Sequence, residues 1–241
     1  MVENITRKPV WGFWATLGFG LLIGVVWIIF QSVAAIVVGK KLGLTFNELE
    51  FNGLALATAT IVSAFVAILL IFVFVKIREG ASLQAYLAFN PITKKTLLAV
   101  LGIMIIFMVM MEFLSRFLGK DIVPEFMLEA TQSIGWLPLL WFAVIIAAPL
   151  VEEIFFRGFL LEGFRHSFVG NAGAIVLTAL LWAAIHIQYG WFEISLIFAM
   201  GLLFGYIRLR TGSIWSPIIM HAFNNGVSSI MVSWYLSTQA V

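Results

Sequence analysis

The chain has 241 residues, 62% of them hydrophobic and only 11% charged, with a formal net charge of +2. A soluble domain carries about a quarter charged residues, so the composition excludes an ordinary soluble protein and fits a polytopic membrane protein. The small, scattered charge excludes nucleic-acid binding through a basic patch, and the absence of cysteine excludes disulfides, thiol catalysis and thiolate metal sites.

A spanning helix needs about 20 mostly apolar residues to cross a hydrocarbon core of about 30 Å. In chain order such stretches fall at roughly 10–38, 54–75, 96–118, 136–160, 172–190, 194–208 and 214–236. They predict an all-α membrane protein of about seven transmembrane helices. The bounds are six to eight, because the sixth stretch is short and merging it with the fifth would leave six. The uncharged run from Pro9 to Gly39 far exceeds the 7 to 15 residues of a signal-peptide core, so it reads as a retained first span. Between the spans, 42–52 and 122–133 mix acids with apolar residues, as either short interfacial helices or plain loops. With no polar linker and no repeat, residues 1–241 read as one transmembrane domain.

Cytoplasmic loops carry the excess of Lys and Arg. A cytoplasmic N-terminus gives that side Arg7, Lys8, Lys76, Arg78, Lys94, Lys95, Arg157, Arg165, Arg208 and Arg210, and leaves Lys40, Lys41, Arg116 and Lys120 to the other. This asymmetry predicts the N-terminus inside and the C-terminus outside.

Ionised side chains within a span cost roughly 2.5 to 3.5 kcal/mol each on insertion scales and therefore need partners. Glu112 lies one turn before Arg116 and reads as a helix-end ion pair. In "PLVEEIFFRGFL" (149–160), Glu153 and Arg157 are four apart and able to pair, whereas Glu152 points about 100° away around the helix and must face something else. His186 is a candidate partner: a helical hairpin reversing at 168–173 would bring it level with Glu152. Taken alone, His186 also fits an interfacial histidine near Tyr189 and Trp191. His221 and Asn225 are one turn apart and can address one ligand, or serve as interhelical glue. His166, beside Arg165, reads as solvated. A carboxylate, two imidazoles and a carboxamide can activate water and hold an oxyanion. Glu152, His186 and His221 can equally hold a metal such as zinc that activates the water, although the zinc motif with two histidines on one helix is absent.

The sequence resembles the CPBP intramembrane proteases, which include type II CAAX prenyl proteases and bacterial proteins linked to bacteriocin immunity. The resemblance rests on three motifs: EExxxR as "EEIFFR" (152–157), FxxxH as "WAAIH" (182–186) with Trp182 in place of phenylalanine, and HxxxN as "HAFNN" (221–225). These lie within a core at 136–236, while the first 135 residues match only as hydrophobic spans. The family implies that Glu152 activates water with help from His186, that His221 and Asn225 stabilise the oxyanion, and that Glu153, Arg157 and Trp182 support them. It is described both as a metalloprotease and as glutamate-dependent. The short form looks more like the bacterial branch, which implies a bacterial cell membrane and a membrane-anchored peptide or protein as substrate.

Two other functions stay in view. One is a non-catalytic immunity or regulatory protein that keeps the protease fold. The other is a proton-coupled transporter, since Glu/His chains also relay protons, although the first half of the chain lacks the matching constellation that such folds show.

Overall fold

The computed structural model describes residues 9–120 and 125–239. Arg7, Lys8 and the first residues of the 122–133 segment lie outside them. Ten helices, and no strand among the described residues, follow one another: α1 (Phe13–Leu42), α2 (Phe46–Phe51), α3 (Gly53–Lys76), α4 (Leu83–Leu87), α5 (Lys94–Phe117), α6 (Glu125–Ser133), α7 (Leu137–Arg165), α8 (Gly170–Ala184), α9 (Trp191–Thr211) and α10 (Trp215–Gln239). All seven apolar stretches are helices, and the protein is an integral membrane protein with a polytopic helical fold. Five of them, α1, α3, α5, α7 and α9, are long and apolar enough to cross a membrane.

The other two depart from the expected spans for physical reasons. Helix α8 is an apolar helix of 15 residues, about 22 Å at 1.5 Å per residue, shorter than the hydrocarbon core. It stops six residues before the expected 190 and leaves His186 in the turn that follows. Helix α10 is long enough but carries Ser216, His221, Asn224, Asn225, Ser228 and Ser229, which lower its apolarity. The sixth stretch is longer than expected, running from Trp191 to Thr211.

Both interfacial segments are helical. Helix α2 opens with a capping box: the Glu48 amide donates to the Thr45 hydroxyl while Glu48 Oε2 accepts from the Thr45 amide at 2.8 Å, satisfying donors the first turn leaves orphaned. Hydrogen bonds from the Thr45 backbone and then its hydroxyl hold the Glu48 carboxyl below its ordinary range. Ser133, at the end of α6, accepts from the Gly53 amide at 2.9 Å and ties α6 to the start of α3.

Small residues set the closest approaches, as is usual where apolar lipid gives helices no hydrophobic reason to associate. A Cβ on Gly163 of α7 would overlap the Thr16 side chain of α1, and one on Gly53 would overlap the Ala130 carbonyl of α6. The main core gathers around α7, with Phe159, Leu161, Phe164, Trp182 and Phe204 almost completely buried.

At the end of the bundle where α1 begins, the connections are knitted together. The Trp11 indole donates to the Phe74 carbonyl at 2.8 Å, Asn90 to the Gly212 carbonyl at 2.8 Å, and the Ile214 amide to the Ala88 carbonyl at 2.9 Å. Buried Glu162 accepts from Arg165 at 2.8 Å and lies 3.6 Å from buried Arg208. His166 lies 3.3 Å from the same carboxylate, so it is partnered there rather than merely solvated.

Candidate active site

Helix α7 is not regular. Two π-helical segments, Phe142–Ala147 and Ile154–Leu160, flank a short α-helical run, Ala148–Glu153, and such single-turn bulges are frequent at functional sites. Pro149 explains the first. A proline within a helix brings no N–H and clashes with the carbonyl four residues earlier, and here the turn widens: the Ala148 amide donates back to the Ala143 carbonyl. The Val144 carbonyl then lacks both possible helix donors, since Ala148 is engaged elsewhere and residue 149 has no N–H. Asn225 supplies one instead, its Nδ2 donating to Val144 O at 2.8 Å across from α10.

The run after Pro149 carries the charged group. Glu153 and Arg157 pair at 3.0 Å, and neither side chain is exposed. As expected from their spacing, each lowers the cost of burying the other. His221 adds a partner the spacing did not reveal, with Nδ1 3.0 Å from the same Glu153 Oε1. An ionised carboxylate only accepts, so this contact assigns the proton to Nδ1 and leaves Nε2 for other work. Arg157 also donates to the Gly201 carbonyl of α9 at 3.3 Å, and its guanidinium lies 4.3 Å over the Trp182 ring.

Glu152 faces away from that pair, as its position on the helix predicts. Its hydrogen bond, however, comes from the Trp182 indole, Nε1 to Oε2 at 2.6 Å, not from His186. The α7–α8 hairpin reverses at 166–169, slightly earlier than the expected 168–173, and its register therefore moves by one helical turn. His186, one turn beyond Trp182, donates from Nδ1 to the Trp182 carbonyl at 2.7 Å, which only accepts; its Nε2 is left without that duty. Tyr189 stacks on His186 with ring centroids 6.1 Å apart. Burial, then the Glu152 carboxylate, push the Tyr189 phenol up to about 12, so it remains a donor throughout the physiological range.

Glu152, Trp182, His186, Tyr189, His221 and Asn225 border one cavity of about 1340 Å³, whereas the Glu153–Arg157 pair lies behind its lining. The last helix starts at Trp215, as expected, yet His221 meets Glu153. The α7–α8 hairpin therefore overhangs the start of α10 by about 9 Å, the difference between 12 and 6 residues at 1.5 Å each.

Residues 134–227 match the family model described as type II CAAX prenyl endopeptidase Rce1-like. Over this segment the chain is similar to the CAAX-protease family. All three motifs and every expected site residue fall inside the match. A 24.3 kDa protein of Escherichia coli, described as uncharacterized, is 35% identical over 97 residues, which cover 39% of this chain and 44% of that protein. The chain thus spans less than half the length of the curated relative it matches. No solved structure matches it.

Glu152, His186 and His221 do not fit a metal in this arrangement. Among the described residues no three His, Asp or Glu side chains gather into a group able to hold an ion.

Sequence reasoning foresaw the Glu153–Arg157 pair and the isolation of Glu152. It missed the Glu153–His221 contact and the Val144–Asn225 bond. For the last a signal existed: a proline five residues after Val144 in an otherwise helical span orphans a carbonyl, and Asn225 is a polar residue in want of a partner.

Proposed function

We propose that the protein is an intramembrane endopeptidase that hydrolyses a peptide bond of a membrane-associated protein or peptide. The observation that carries this reading is the Glu152 carboxylate in a large cavity that also takes in His186, His221 and Asn225. One oxygen of Glu152 is fixed by Trp182, and the other can take a proton from a water molecule poised against the scissile carbonyl. His186, with Nε2 uncommitted, assists by accepting or returning that proton. Asn225 spends one Nδ2 hydrogen on Val144 and keeps a second for the developing oxyanion. His221, seated on Glu153, can join it from Nε2 when it carries a second proton. Glu153 and Arg157 hold His221 and Trp182 in place and are positioning residues.

The family supports proteolysis in general terms, and the finer reading stands on the site. Purified Glu152→Gln keeps the shape and nearly all the hydrogen-bonding capacity of the side chain. It is expected to retain the folded state by thermal unfolding in detergent while losing cleavage of a membrane-tethered reporter by at least about 100-fold, the low end of what general base catalysis contributes. Undiminished cleavage by the variant would remove Glu152 from the chemistry.

A further inference from the structure

The cavity lies toward one end of the bundle, and that end can be identified. Its lining includes Phe46 of α2, Phe126 of α6, and Ile187 and Tyr189 in the α8–α9 turn. All four lie where α1, α5 and α8 finish and α3, α7 and α9 begin. None of the lining residues falls within 61–106, 157–181 or 201–220, the stretches that build the other end. There the hydrogen-bonded connections and the Glu162–Arg165–Arg208 group close the bundle. Ile187 and Phe46 are 84% and 81% exposed, so the rim stands open.

The two ends also differ in charge. The closed end carries Lys76, Arg78, Lys94, Lys95, Arg165, Arg208 and Arg210 among the described residues, whereas the open end carries Lys40, Lys41, Arg116 and Lys120. Of the described glutamates outside the site, the open end holds Glu48, Glu50, Glu112, Glu125, Glu129 and Glu193, and the closed end Glu79 and Glu162. Short loops rich in Lys and Arg stay cytoplasmic, which puts the closed end inside.

We infer that the cavity opens to the non-cytoplasmic face of the membrane and takes the external segment of a membrane-anchored polypeptide. This rests on the proteolytic reading only for what happens once the segment is bound. Glu152 lies about 22 Å along α7 from its first residue at the open end, at 1.5 Å per residue, so the polypeptide must enter as an extended stretch that reaches well into the bilayer from outside. A peptide presented from the cytoplasm would meet the closed end instead.

The absence of cysteine makes the orientation directly measurable. Ile187→Cys sits on the open rim and Phe168→Cys, 79% exposed, on the α7–α8 turn of the closed end. Phe46→Cys and exposed Glu79→Cys duplicate the pair on other helices in case a variant fails to fold. In intact bacterial spheroplasts expressing the full chain, a membrane-impermeant maleimide is expected to label the Ile187 and Phe46 variants. The Phe168 and Glu79 variants should label only after permeabilisation. The reverse pattern, or labelling of both ends in intact cells, overturns the inference. Reporters carrying the cleavable stretch on one face or the other add the functional arm: cleavage is expected for the external stretch, and cleavage of the cytoplasmic one alone also overturns it. External labelling of the rim combined with no cleavage on either side would instead count against the proteolytic reading and leave the orientation standing.

Discussion

The bond between Asn225 and Val144 offers a sharp test because its cause is covalent. Pro149 removes the one amide that the widened turn could have aimed at Val144 O, so in the native chain Asn225 is that carbonyl's hydrogen-bond donor. Asn225→Ala then loses an interhelical hydrogen bond and leaves the carbonyl bare. Within membranes such bonds contribute about 0.6 kcal/mol on average and up to about 1.7 kcal/mol; the 2.8 Å separation and the orphaned acceptor place this one toward the upper part, at about 1 to 1.5 kcal/mol. In a Pro149→Ala background residue 149 regains its N–H and can satisfy Val144 O from within α7. There Asn225→Ala should cost no more than about 0.5 kcal/mol. The double-mutant cycle, measured by reversible unfolding in mixed micelles, is therefore expected to show a coupling of about 1 kcal/mol between positions 149 and 225. Additivity to within about 0.3 kcal/mol would refute the claim that proline creates the need for asparagine.

Three further outcomes follow from the site. Arg157→Ala strands Glu153 in a fully buried position and should destabilise the fold by about 3 to 5 kcal/mol, whereas the double change Arg157→Ala, Glu153→Gln should recover part of it; chemical denaturation compares the two. Trp182→Phe keeps a ring under Arg157 but removes the indole N–H held by Glu152. Since hydrogen bonds to charged groups contribute about 1.5 to 3 kcal/mol, the fold should lose about that much stability, and kcat/KM on a tethered reporter should fall at least about 10-fold. The metal content of purified protein, measured by elemental analysis, should be the same in the native chain and in His221→Ala, because among the described residues the candidate ligands form no group able to hold an ion.

Much of the protein was legible without coordinates. The spans follow from composition, because a bilayer tolerates little else over 20 residues, whereas 42–52 stayed open between helix and loop until the Thr45–Glu48 capping box was seen. The Glu112–Arg116 and Glu153–Arg157 pairs, both found, are short-range facts of the 3.6-residue repeat. The isolation of Glu152 from the pair beside it is another.

Relations between helices belong to the tertiary structure. Register across the α7–α8 hairpin depends on where the reversal tightens, and moving it from 168–173 to 166–169 replaced His186 by Trp182 as the partner of Glu152. A turn of helix is only about 5.4 Å, but it decides which side chain touches a carboxylate. His221 could have faced either acid of the 152–153 pair from its place on α10; only the packed bundle, with Arg157 already on Glu153, set it there. Which end of the cavity is open was likewise undecided by any single helix, since it depends on where seven of them part and where their connections lock together. The sequence alone determined that charged groups must be hidden in this membrane domain, through the cost of leaving them unpaired in lipid. Which groups then meet one another was decided by the packing of α7 against α8, α9 and α10.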